Sequence, residues 1–109
     1  MTQSDMLAAR AAGTSAAYDG GDKRVVPDGH VTTILLHGHA CMTIRRDRGT
    51  LTIDGRTPAT RKSCRLMNAV LGTFGAGNVH TRKGRWYHRS ADGTLATFSG
   101  AELTLPMLF

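Results

Sequence analysis

An α+β fold, one amphipathic helix packed on a mainly antiparallel sheet, is what the sequence predicts, and three observations predict it. Only one long stretch, residues 60–73, carries apolar residues at helical spacing. The other apolar residues fall in short, β-branched runs divided by glycine-containing turns. Those runs gather before and after the helix instead of alternating with further helices, which gives the order ββ(β)-α-ββ(ββ).

Within the helix, Leu66, Met67, Val70, Leu71 and Phe74 recur at offsets of three and four, the stripe a helix buries against a sheet. Thr57-Pro58 or Thr60 can cap its start, and Gly72 or Gly75 can end it. The opposite face carries Arg61, Arg65 and Asn68, with Lys62 beside them. Cations at a helix start oppose its dipole. This face therefore reads either as a solvated surface or, with free amides and threonine hydroxyls nearby, as a site for a phosphate or carboxylate.

Residues 1–29, rich in Ala, Gly, Ser and Asp, read as a flexible segment with room for a short helix over Met6–Ala12, and residues 30–109 as one small domain. Val31–His37 suits a buried strand, Gly38 permits a turn or bulge, and Ala40–Arg45 returns with Ala40, Met42 and Ile44 alternating with polar neighbours. Asp47-Arg48-Gly49 then turns into Thr50–Ile53. Beyond the helix, Asn78–Arg82 and Arg85–Arg89 flank Lys83-Gly84. A two-residue turn there sets Thr81 against Trp86 and Val79 against His88 on one face, with His80, Arg82, Arg85 and Tyr87 on the other. A last hairpin is expected from Thr94–Phe98 to Leu103–Leu105. The apolar end Met107, Leu108 and Phe109 is expected to dock on the core or on a second subunit, a route to a homo-oligomer.

A chain of 109 residues supports one modest core. No apolar run approaches the roughly 18 residues needed to span a bilayer, and Asp5 and Arg10 interrupt the alanine-rich start, so neither membrane span nor signal peptide is expected and the expected compartment is the cytoplasm. Cys41 and Cys64 have no disulfide-framework spacing and read as reduced, core-filling residues. The formal charge of +6 and pI near 10.2 favour acidic partners: nucleic acid, a nucleotide or an acidic protein surface.

Signals for chemistry are sparse. His37, His39 and Cys41 lie at offsets of two, a spacing zinc accepts, with His80 or His88 available as a fourth ligand; Gly38 favours a hairpin turn there instead, and no metal site or cofactor is expected. The glycines of Gly72–Gly77 follow a helix, whereas phosphate-binding loops precede one. No catalytic motif frames any of the eight acidic residues, so a non-enzymatic role is expected. The strongest constellation is basic and aromatic: Arg82, Lys83, Arg85, Trp86, Tyr87, His88 and Arg89. Exposed aromatics among cations can stack bases and grip phosphates. Trp86, the only tryptophan, reads as a core anchor, which leaves Tyr87 and the arginines for the surface.

Leu35-Leu36-His37-Gly38-His39-Ala40, Leu51-Thr52-Ile53, Thr57-Pro58-Ala59-Thr60, Arg65-Leu66-Met67-Asn68-Ala69-Val70-Leu71, Arg85-Trp86-Tyr87 and Phe98-Ser99-Gly100 together resemble a group of short phage and prophage accessory proteins over about residues 33 to 105. Met67 departs from that group's arginine-leucine-asparagine pattern and rotates Asn68 relative to Arg65. The resemblance implies a phage accessory protein and no catalytic residue. The expected function is binding of nucleic acid or a phosphate-bearing nucleotide through Arg61, Lys62, Arg65, Arg82, Lys83, Arg85 and Tyr87. Two other classes fit the same composition: an inhibitor that contacts a host defence complex, as anti-CRISPR proteins do, and a structural or assembly protein.

Overall fold

The computed structural model describes residues 2–108. In chain order the elements are α1 (Gln3–Thr14), β1 (Tyr18–Asp19), β2 (Lys23–Asp28), β3 (Val31–Leu36), β4 (His39–Arg45), β5 (Thr50–Asp54), α2 (Arg61–Thr73), β6 (Asn78–Arg82), β7 (Arg85–Arg89), β8 (Leu95–Thr97) and β9 (Glu102–Pro106). The class is α+β. The strands form a six-stranded sheet of order β1-β2-β3-β4-β5-β9 and a three-stranded sheet of order β6-β7-β8, antiparallel throughout.

The helical stripe behaves as its spacing requires. Leu66, Met67, Val70, Leu71 and Phe74 are all buried, against a sheet face built by Val25, Ile34, Leu36, Met42, Ile44, Leu51 and Ile53. Thr60 is the N-cap: its hydroxyl accepts from the Ser63 amide at 3.1 Å while the Ser63 hydroxyl accepts from the Thr60 amide at 3.0 Å. That reciprocal pair satisfies two amides at the helix entrance. Asn68 turns inward and clamps β6, donating to the Val79 carbonyl at 2.9 Å and accepting from the Val79 amide at 2.7 Å.

Two hairpins turn through left-handed residue pairs. His37 and Gly38 have φ of 52° and 78°, and Lys83 and Gly84 have 54° and 74°, the two-residue turns whose twist matches that of antiparallel strands. The first hairpin carries a bulge: Ile34 faces Met42 but Leu35 faces Ala40, so Cys41 is the extra residue and both Cys41 and Met42 are buried.

The N-terminal segment differs from expectation. It is not a mobile tail before residue 29: α1 packs on α2, and β2 pairs with β3 along its whole length. Alanines at 8, 9, 11 and 12 form the buried side of α1, and small side chains allow the close approach that weak hydrophobicity conceals in a sequence. Polar tethers complete the attachment. Asp5 Oδ1 lies 2.6 Å from Lys23 Nζ, both groups buried. Arg46 donates to the Ala12 carbonyl near the end of α1 and, at 2.9 Å, to the Thr32 hydroxyl.

The expected last hairpin is also absent. β8 pairs with β7, whereas β9 pairs with β5 at the far edge of the large sheet. Phe98 sits at the split. It is buried, with its ring 5.7 Å from that of Trp86, and the Ser99 hydroxyl accepts from the Trp86 amide at 2.6 Å. The chain then passes Gly55, where a Cβ would collide with the Phe98 carbonyl, and delivers Leu105 to the buried face beside Leu51.

Candidate nucleic-acid interface

The small sheet is held from within. Val79, Trp86 and His88 point inward and are buried. Trp86 Nε1 donates to the Thr57 carbonyl at 2.8 Å, His88 Nε2 lies 2.7 Å from the Ala76 carbonyl, and Asn68 grips Val79. Strand alternation then sends the intervening residues to the other side. The register sets His80 opposite Tyr87, Arg82 opposite Arg85, Tyr87 opposite Thr97 and Arg89 opposite Leu95.

The outer face therefore carries Arg82, Arg85 and Arg89 around a stacked pair. The rings of His80 and Tyr87 are 5.4 Å apart and inclined by 15°, and Lys83 stands at the hairpin tip. Residues 78–89 contain four of the cations and none of the eight acids, a local +4 out of the formal +6. Among the described residues, no carboxylate lies within 4.0 Å of Arg82, Lys83, Arg85 or Arg89. Asp5, Asp19, Asp22, Asp47, Asp54 and Glu102 all pair elsewhere. Arg82 and Arg85 directly across from each other are mutually repulsive, an arrangement that an anion relieves.

The seven residues expected to bind do not form one site. Arg82, Lys83, Arg85 and Tyr87 come together on the outer face and tip of the small sheet. Arg61, Lys62 and Arg65 belong to α2, which packs on the inner side through Asn68 and Val79. Lys62 Nζ is 2.6 Å from Asp22 Oδ2, and Arg65 Nε is 3.9 Å from Asp5 Oδ2. Both acids belong to the segment expected to be flexible; Asp22 neutralises Lys62, whereas the Asp5 carboxylate that Arg65 approaches is already paired with Lys23 at 2.6 Å. The Lys62 hydrogen bond holds the Asp22 carboxyl below the ordinary carboxylate range. Arg61 is exposed and without a carboxylate within 4.0 Å among the described residues. His80 and Arg89 share the outer face without being among the seven; alternation around Tyr87 is the sequence signal for both.

His37, His39 and Cys41 are separated by the turn and the bulge. His39 Nε2 lies 3.6 Å from Asp54 Oδ2, while Cys41 is buried, its thiol pushed up to about 12 by burial and donating to the Ile34 carbonyl at 3.5 Å. Among the described residues, no group of three or more His, Cys, Asp or Glu is placed to hold a metal ion. Both cysteines are free. At the C-terminus the Met107 amide donates to the Gly49 carbonyl and the Leu108 amide to the Phe74 carbonyl, each at 2.9 Å. Met107 packs partly on the core, Leu108 is 67% exposed, and Phe109 lies outside the described residues. No helix among the described residues is long and apolar enough to cross a membrane.

Compared with known protein families, curated proteins and solved structures, the chain matches none.

Proposed function

We propose that the protein binds single-stranded nucleic acid on the outer face of β6-β7-β8, as a phage-type accessory protein that acts by binding and not by catalysis. One observation carries this reading: an acid-free cluster of four cations surrounds the stacked Tyr87 and His80 rings on an open sheet face. Cations neutralise backbone phosphates, and an aromatic platform accepts unpaired bases of any sequence. Double-stranded partners offer no free base to stack, which favours the single strand.

The test is fluorescence anisotropy of a labelled single-stranded oligonucleotide over a range of salt. Three or four phosphate contacts predict a log–log slope of about −2 to −3, a loss of roughly 20- to 50-fold in affinity between 50 and 200 mM salt. Tyr87→Ala should cost about 1–3 kcal/mol of binding. The double variant Arg82→Ala/Arg85→Ala should abolish most binding and leave the melting temperature unchanged or raised, because it removes a like-charge pair. Affinity indifferent to salt and to both arginines would overturn the reading.

A further inference from the structure

Four strands form the sheet edges: β1 and β9 in the large sheet, β6 and β8 in the small one. An open edge invites a further strand, and proteins guard against it with charge, proline or a covering group. β1 is two residues long and ends on Asp19. On β9 the hydrogen bond from the Met107 amide to the Gly49 carbonyl fixes the phase, so Glu102, Thr104 and Pro106 turn their backbone outward. That edge therefore carries a charge and a residue with no amide proton. On β6 the Asn68 side chain occupies both backbone groups of Val79.

β8, three residues long, has no guard other than its length. Two hydrogen bonds to β7 fix its phase: the Ser90 amide donates to the Thr94 carbonyl at 2.9 Å and the Phe98 amide to the Trp86 carbonyl at 3.3 Å. Alternation then points the backbone groups of Ala96 at β7 and those of Leu95 and Thr97 away from it. Among the described residues nothing hydrogen-bonds those outward amides and carbonyls. Leu95-Ala96-Thr97 contains neither charge nor proline, and Leu95 is 49% exposed.

We propose that β8 pairs with β8 of a second copy of this chain, antiparallel about a two-fold axis through Ala96. In that register the strand is its own complement. Ala96 faces its symmetry mate as a non-hydrogen-bonded pair, and each Leu95 faces the partner's Thr97, so that the outward amides and carbonyls of the two chains close four backbone hydrogen bonds. On the outer face Leu95 lies beside Arg89 and Thr97 beside Tyr87. The two-fold therefore covers each exposed leucine with a threonine and brings Arg89 into line with the partner's Tyr87, not against the partner's Arg89. Growth stops at two copies because Asn68 holds the far edge, β6. The small sheets fuse into one six-stranded sheet with a continuous outer face, the two Tyr87 rings three strand spacings apart, roughly 14 Å across the strands. The pairing does not rest on the nucleic-acid reading, but it would give a bound strand two platforms in place of one.

The test is sedimentation equilibrium of the full chain from about 10 µM to about 1 mM, the range in which so small an interface associates reversibly. A monomer–dimer equilibrium is expected. Amide hydrogen exchange read by NMR should slow at Leu95 and Thr97 as the dimer fills. Leu95→Pro removes an outward donor and the exposed leucine without touching the β7 ladder, and Leu95→Glu sets a charge on the edge. Each should weaken association about tenfold or more, and Leu95→Glu should leave the melting temperature of dilute protein unchanged. A chain still monomeric at about 1 mM, a dimer whose Leu95 and Thr97 amides exchange as fast as in the monomer, or wild-type association by both variants overturns the proposal. A monomeric result leaves the salt dependence of oligonucleotide binding to be read separately, so the two readings fail independently.

Discussion

Asp5 shows what a buried charge needs in order to stay charged. Burial alone would raise its carboxyl, but hydrogen bonds from Lys23 and from the Thr2 amide and hydroxyl outweigh burial and hold it below the ordinary carboxylate range. A folded value below the unfolded one means that its stabilisation is fully present above the ordinary carboxylate range and is lost as pH falls through the folded value. Asp22, held down by Lys62, and Asp54, held down by Arg56, act in the same direction. Urea unfolding should therefore show stability falling on the acid side, with a shallower fall in Asp5→Asn. At neutral pH that variant leaves Lys23 buried without its counter-charge and should lose about 3–5 kcal/mol, whereas Asp5→Leu with Lys23→Met should recover most of it. The cysteines give a second check at this scale. Burial raises the Cys64 thiol as well as that of Cys41, so a thiol reagent at mildly alkaline pH should leave Cys41 unlabelled in native protein and reach both only after denaturation.

At the scale of elements, the β6–β7 hairpin was legible because everything that defines it is local. Alternation, the Lys83-Gly84 turn and the expected pairs Thr81–Trp86 and Val79–His88 all appear in the register. One local conflict remains: Lys83 has φ of 54°, a conformation that costs a side-chain-bearing residue roughly 1–2 kcal/mol. Lys83→Gly should raise the melting temperature by about 4 °C if roughly 1 kcal/mol is recovered, while reducing the salt slope of nucleic-acid binding by about 0.7. A stabilised variant with an unchanged slope would remove Lys83 from the interface. The pairing of β8 and β9 was not legible. Leu95–Thr97 and Leu103–Leu105 have hairpin spacing, but they join different sheets, with Phe98 docked on Trp86 between them.

For the whole molecule, the decisive fact is that residues 2–28 belong to the fold. Ala8 and Ala12 are fully buried, Lys23 and Asp5 pair within that segment, and Arg46 and Lys62 find partners in it. Deleting residues 1–17 should therefore abolish cooperative thermal unfolding; a truncated chain that melts as the full one does would return α1 to the status of a tail. The same misreading explains the candidate site. A flexible first segment leaves Lys62 free, whereas the folded one pairs it with Asp22; no such carboxylate reaches the cations of the small sheet among the described residues.

Local pattern sufficed for the α+β class, the apolar stripe of α2, most strand positions and the basic-aromatic hairpin, and it left the cap of α2 between Thr57-Pro58 and Thr60. Each of these rests on periodicity or turn chemistry within a few residues. Which cations stay unpaired, how Asn68 serves β6 and where β9 pairs emerge only in the folded molecule. Those outcomes depend on contacts between residues far apart in the chain, such as Lys62 with Asp22, and a carboxylate carries no local mark of the cation it will meet.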